Sequence, residues 1–159
     1  MKIRLIFASL LLLSGFLVTA QNTNENNPPV MIENQSRFGF TETIEKLSKT
    51  ILEKGWKITI THDLQETMKK NSKDVLPVKV IELCNPGLAY QILSKDELRF
   101  VSPMLPCRIT VYEKSDGITY VSRINAPAFA GMISGDAAKT IVQAFNETEE
   151  FLKAVEKHH

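Results

Sequence analysis

The stretch RITVYEKSDGITYVSRI, residues 108–124, decides the fold class. Two runs rich in β-branched and aromatic residues, 108–113 and 118–124, flank Ser115-Asp116-Gly117. An Asp-Gly pair between such runs is a strong hairpin signal, because these residues accept the positive φ that a tight turn demands. A hairpin makes its two strands antiparallel neighbours. Alternation then puts Ile118 and Tyr120 on one side of the pair and Val121 on the other.

Upstream, residues 78–83 form a nearly continuous apolar strand interrupted by Lys79 and Glu82. Asn85-Pro86 opens a helix: Asn is a favoured N-cap, and Pro at the first helical position forfeits no hydrogen bond. Leu88, Ala89, Ile92 and Leu93 form its buried stripe. Earlier still, Trp56-Lys57-Ile58-Thr59-Ile60-Thr61-His62 alternates strictly, which predicts a half-buried strand. Trp56, Ile58 and Ile60 point inward on that reading, and His62 shares their parity at the core's edge. Asp63 with Glu66 makes a capping pair for a short helix carrying Leu64 and Met68, and the polar run 69–74 is a loop. A first helix carries Ile44, Leu47 and Ile51 and stops at Gly55, preceded by a strand over 30–35. Downstream, a last helix from about Asp136 places Ala138, Ile141, Val142, Phe145 and Leu152 on one face.

Strands that include a tight hairpin, with helices between and after them, predict a single two-layer α+β domain over 30–157. Its sheet is mainly antiparallel and its helices lie on one face. The other face is then left to explain. In Ala126-Pro127-Ala128-Phe129-Ala130 only Phe129 is bulky enough to cover it. A sheet with apolar residues on both faces predicts a symmetric homodimer.

Residues 1–20, MKIRLIFASLLLLSGFLVTA, carry Lys2 and Arg4 ahead of an apolar run, then small residues at Val18-Thr19-Ala20. That is a signal peptide cleaved before Gln21, and it sends the chain to the periplasm or the extracellular space. The apolar part is short of the roughly 20 residues a membrane-crossing helix needs, so no span is expected after cleavage. QNTNENNPP, residues 21–29, is too polar to offset its ordering entropy and reads as a flexible spacer. Lys+Arg 19 against Asp+Glu 18 leaves no basic surface for nucleic acid. Hydrophobic residues at 43% and charged residues at 23% support one globular domain. The chain has no nucleophile–base pair, Gly-rich phosphate loop or HExxH motif, and Asp116-Gly117 lacks the other ligand positions of a calcium loop. The expectation is a non-catalytic protein. His158 and His159 end the chain beyond the last helix.

Glu82-Leu83-Cys84-Asn85-Pro86-Gly87-Leu88-Ala89, followed by Leu105-Pro106-Cys107 at the head of a strand, resembles a widespread prokaryotic family, the domain of unknown function number 302. The resemblance runs over residues 30–124 and includes Thr43-Ile44-Glu45-Lys46-Leu47. The Cys-Asn-Pro and Leu-Pro-Cys pair carries it; either half alone is weak. The resemblance implies a compact α+β domain with an antiparallel sheet and no assigned activity. Gly39 stands where a Ser-type N-cap is expected, a substitution that still caps. The signal peptide is a departure, since many relatives are cytosolic.

Cys84, Asn85, Met104 and Cys107 are the candidate binding or redox residues. Cys84 precedes the Asn85 cap, where a helix N-terminus favours a thiolate. Cys107 follows Met104-Leu105-Pro106 at the start of another strand, and both thiols are expected at one end of the sheet, close enough to meet. Three readings stay open. In an oxidising compartment Cys84 and Cys107 pair as a disulfide. Two thiolates, with the Met104 thioether, would suit copper or a haem iron. Otherwise they are two packed thiols. The leading functional expectation is an exported binding or interaction module with a small-ligand site at this end. The alternatives are a thiol redox protein using Cys84 and Cys107, or a purely structural self-associating domain. Glu82, set among apolar residues, needs Arg108 or Arg123 as its partner.

Overall fold

Asp116 and Gly117 close the turn as their chemistry requires. Asp116 Oδ1 accepts from the Ile118 amide at 2.8 Å, and Gly117 sits at φ 74°. The molecule is built around that turn in a computed structural model, which describes residues 28–133 and 135–157. The expected signal peptide, residues 21–27 of the expected spacer, and His158 and His159 lie outside the described residues.

Five strands, β1 (Met31–Gln35), β2 (Lys57–Asp63), β3 (Val78–Cys84), β4 (Cys107–Glu113) and β5 (Thr119–Ile124), form one sheet. Their order is β1-β5-β4-β3-β2, and every pair is antiparallel. The helices are α1 (Phe40–Glu53), α2 (Leu64–Lys70), α3 (Pro86–Leu93), α4 (Ala126–Ala130) and α5 (Gly135–Leu152). A 3-10 segment, Asp96–Met104, links α3 to β4. This is the expected two-layer α+β domain. Among the described residues no helix is long and apolar enough to cross a membrane.

One sheet face meets α1 and α5. Ile81 and Leu83 of β3, Ile109 and Val111 of β4 and Val121 of β5 are fully buried against Leu47, Ile51, Leu152 and Val155. Each such side chain contributes about 1.5–3 kcal/mol by leaving water. The buried clusters hold no residue of the opposite face, which carries Val78, Val80, Thr110, Tyr112 and Ser122 half-buried. Helix α4 packs on α5 instead, so Phe129 does not cover that face.

Three expectations are corrected. Leu93, expected in the buried stripe of α3, is 43% exposed, and the helix buries Leu88 and Ile92. The alternation of β2 breaks between Ile58 and Ile60: Ile58 lies opposite Leu83, whereas Ile60 lies opposite Glu82. One extra residue in an antiparallel pair moves every following side chain to the other face. Ile60 is accordingly 47% exposed, and His62 leaves the core's edge for the uncovered face, where Nε2 stands 3.3 Å from Glu82 Oε1. In α5 the buried stripe is Ala137, Thr140, Ile141, Ala144, Thr148, Phe151 and Leu152, so the face is rotated away from Ala138 and Val142. The local chemistry held elsewhere. Asp63 Oδ1 accepts from the Glu66 amide at 2.8 Å, and Gly55 ends α1 at φ 80°.

Candidate functional site

Helix α3 begins where Asn85 turns the chain. Its Oδ1 accepts from the Gly87 and Leu88 amides at 3.0 and 3.3 Å, satisfying donors a helix start leaves open. Its Nδ2 donates to Glu147 Oε2 on α5 at 3.4 Å, which ties the start of α3 to that helix. Past α3, the 3-10 segment and the cis Leu105–Pro106 peptide lead the chain back into β4. Ile92, Val101, Ala137 and Ile141 form a second small core here, with Met104 and Leu105 packed against it.

Between the two cores lies a cavity of about 170 Å³. Leu88 and Ile92 of α3 form one wall, Met104, Leu105 and Cys107 another, and Ile141, Ala144 and Phe145 of α5 the third. Pro103, Arg108 and Ile124, all exposed, stand at its rim. Of the four candidate residues, Met104 and Cys107 line the cavity. Asn85 anchors a wall without touching the space, and Cys84 is not among the lining residues. Sequence reading missed Thr140, Ala144 and Thr148. The signal for them was the run of small side chains on the inner stripe of α5, which leaves room beside bulkier neighbours.

The two thiols do lie at one end of the sheet: Leu83 pairs with Cys107, so Cys84 is diagonal to it. Both are free, which overturns the disulfide. The reason is pleat. Cys107 shares the helix-covered face with Leu83, whereas the next residue along β3, Cys84, alternates to the other face. The surroundings also work against the expected thiolate. Burial raises the pKa of both thiols; Cys107 is pushed up to about 11, with Cys84 adding to the effect and the Thr148 hydroxyl offsetting part of it. Desolvation outweighs what the start of a short helix supplies. Among the described residues, no three His, Cys, Asp or Glu side chains converge as a metal site.

A labelling experiment follows from these shifts. At pH 7 a thiol with a pKa of about 11 is ionised in about one molecule in ten thousand. Alkylation of Cys107 by iodoacetamide in the folded protein is therefore expected to be slow and to accelerate about tenfold per pH unit, towards pH 11. Mass mapping of the Cys84 and Cys107 peptides reads the rates. A plateau for Cys107 below pH 9 would contradict the assignment.

Charges nearby are matched. Glu82 accepts from Arg108, with Nε and Nη2 each 2.9 Å from Oε1, on the uncovered face. Arg123 is buried on the helical side, where Nε donates to Glu149 Oε1 at 2.8 Å and Nη1 to Glu156 Oε1 at 2.7 Å and Asn34 Oδ1 at 2.6 Å. It borders the cavity, but its guanidinium is committed to these partners.

A family model described as Domain of unknown function DUF302 matches residues 32–157. Among solved structures, the chain is similar to an uncharacterized conserved DUF302 protein from Bacillus stearothermophilus. That crystal structure superposes with a TM-score of 0.69 at 22% identity, covering 79% of this chain and 97% of that one. The likeness shows the fold. No curated protein matches the chain.

Proposed function

The chain belongs to the DUF302 family, and from that premise we propose that it is a non-catalytic binding module whose ligand enters the cavity beside Met104 and Cys107. The cavity itself supports this most: α3, the 3-10 segment, β4 and α5 enclose a mostly apolar pocket of about 170 Å³ that opens at a rim of Pro103, Arg108 and Ile124. That is the concave and largely apolar form that small-molecule sites take. A thiol redox role has less behind it, since burial raises the pKa of both thiols and so disfavours the thiolate. A fragment library screened by amide chemical-shift changes tests the reading. Hits are expected to cluster on Leu88, Met104, Cys107 and Ile141. Hits confined to other surfaces, or none, would remove the cavity as a ligand site.

The module is exported, on the strength of residues 1–20, and self-associates through its uncovered sheet face. Thr110 lies on β4, the middle strand of that face, opposite Val80 and Ser122. Native mass spectrometry of the mature protein is expected to give a dimer beginning at Gln21, and Thr110→Lys to give a monomer. An unprocessed chain retaining residues 1–20 would refute export. A monomer of the unsubstituted protein at micromolar concentration would refute self-association.

A further inference from the structure

We infer that the cavity selects a neutral, apolar ring-shaped molecule, in the size range from benzene to indole. This rests on the reading of the cavity as a ligand site and specifies what that site accepts. Size comes first. A cavity of about 170 Å³ lies below the roughly 300 Å³ at which pockets for drug-sized ligands begin, and is close to the apolar cavity of about 150 Å³ that stays dry and takes up benzene. A haem does not fit such a space.

Polarity comes next. The walls are side chains of Leu88, Ile92, Leu105, Ile141 and Phe145, and every polar side chain bordering the space is already partnered. Thr140 Oγ1 is 3.1 Å from Gln91 Oε1 and 3.0 Å from the Asp136 carbonyl oxygen, and Thr148 Oγ1 donates to the Ala144 carbonyl at 2.9 Å. Arg123 is held by Asn34, Glu149 and Glu156. Among the described residues, no buried side-chain nitrogen or oxygen lacks a hydrogen-bond partner. The two cations at the border are already paired, Arg108 with Glu82 and Arg123 with Glu149 and Glu156. A charged guest would leave water and have to compete with those carboxylates, which is unfavourable. The two sulfur atoms on the wall, from Met104 and Cys107, favour an aromatic guest, because divalent sulfur makes attractive contacts at ring edges.

The test titrates benzene, indole, benzoate and Cu(I) separately into the mature protein and follows the methyl resonances of Met104 and Ile141. Benzene and indole are expected to shift them saturably, with benzoate at least about tenfold weaker than benzene because its carboxylate must be desolvated. Ala144→Phe, which fills the space, is expected to abolish the shifts. If that variant does not fold, Ala144→Val adds two methyl groups to the wall and should weaken indole by about tenfold or more, since a misfit of this size in an apolar pocket is worth about 10–200-fold. Tighter binding of benzoate or Cu(I) than of indole at the same resonances would overturn the ligand class and leave the cavity reading intact. If neither these probes nor the fragment library moves those resonances, both fall.

Discussion

Replacing Arg123 with alanine is expected to destabilise the protein by about 3–5 kcal/mol, read as a shift of the urea midpoint at unchanged slope. The guanidinium is only 5% exposed and holds two carboxylates, Glu149 at 27% and Glu156 at 16% exposure. Removing it leaves both acids close together in a poorly hydrated site without that cation, so the penalty is desolvation plus like-charge repulsion. The exposure of Glu149 lets it regain some water, which favours the lower end of the range. The network also joins distant parts of the chain. Asn34 lies in β1, Arg123 in β5 and Glu149 in α5, while Glu156 pairs by a β-bridge with Ser36 beyond the end of α5. A triple change, Arg123→Met with Glu149→Gln and Glu156→Gln, is therefore expected to recover much of the loss, because no buried charge then remains. A cost below about 1 kcal/mol for Arg123→Ala, the level of an exposed ion pair, would show that the carboxylates resolvate freely.

What the sequence made legible follows the range of the forces involved. The Asp116-Gly117 turn, the Asp63 and Asn85 caps and the Gly55 stop depend on atoms within a few residues, and each forms as its chemistry dictates. The antiparallel α+β architecture follows from those local choices plus alternation. Face assignments failed where register entered. A single extra residue at Thr59 reversed Ile60 and His62, and nothing between Trp56 and His62 announces it. The thiols failed for the same reason: proximity along the sheet was right, but one step of pleat separates the faces. The cavity was the least legible feature. It is made of space between α3, the 3-10 segment and α5, and depends on how far the small side chains Ala137 and Ala144 let those elements approach. Glu82 shows the intermediate case. Its need for a cation could be read from its apolar flanks, but the choice of Arg108 over Arg123 is set by strand parity.

Trp56→Ala should rival Arg123→Ala, at about 3–5 kcal/mol, the usual range for removing a large buried aromatic side chain. Trp56 is 2% exposed, and its ring meets Phe151 of α5 edge-on, with centroids 5.4 Å apart and planes at 78°. Deletion empties the space between the start of β2 and α5 and removes that aromatic pair. The indole also has a polar role. Nε1 donates to Glu147 Oε2 at 2.8 Å, the carboxylate oxygen that receives Asn85 Nδ2. Trp56→Phe keeps most of the apolar area and drops this donor, so it is expected to cost less, about 1–3 kcal/mol. As Trp56 is the chain's single tryptophan, its own fluorescence cannot follow these variants, and far-ultraviolet circular dichroism in urea supplies the comparison. The two variants separate packing from tethering. If Glu147 holds α3 in place through Asn85, Trp56→Phe should shift the methyl resonances of Leu88 and Ile92 even where stability changes little. If those resonances stay fixed while Trp56→Ala shows its full loss, the indole acts through packing alone and the cavity wall is held by the Asn85 cap without it.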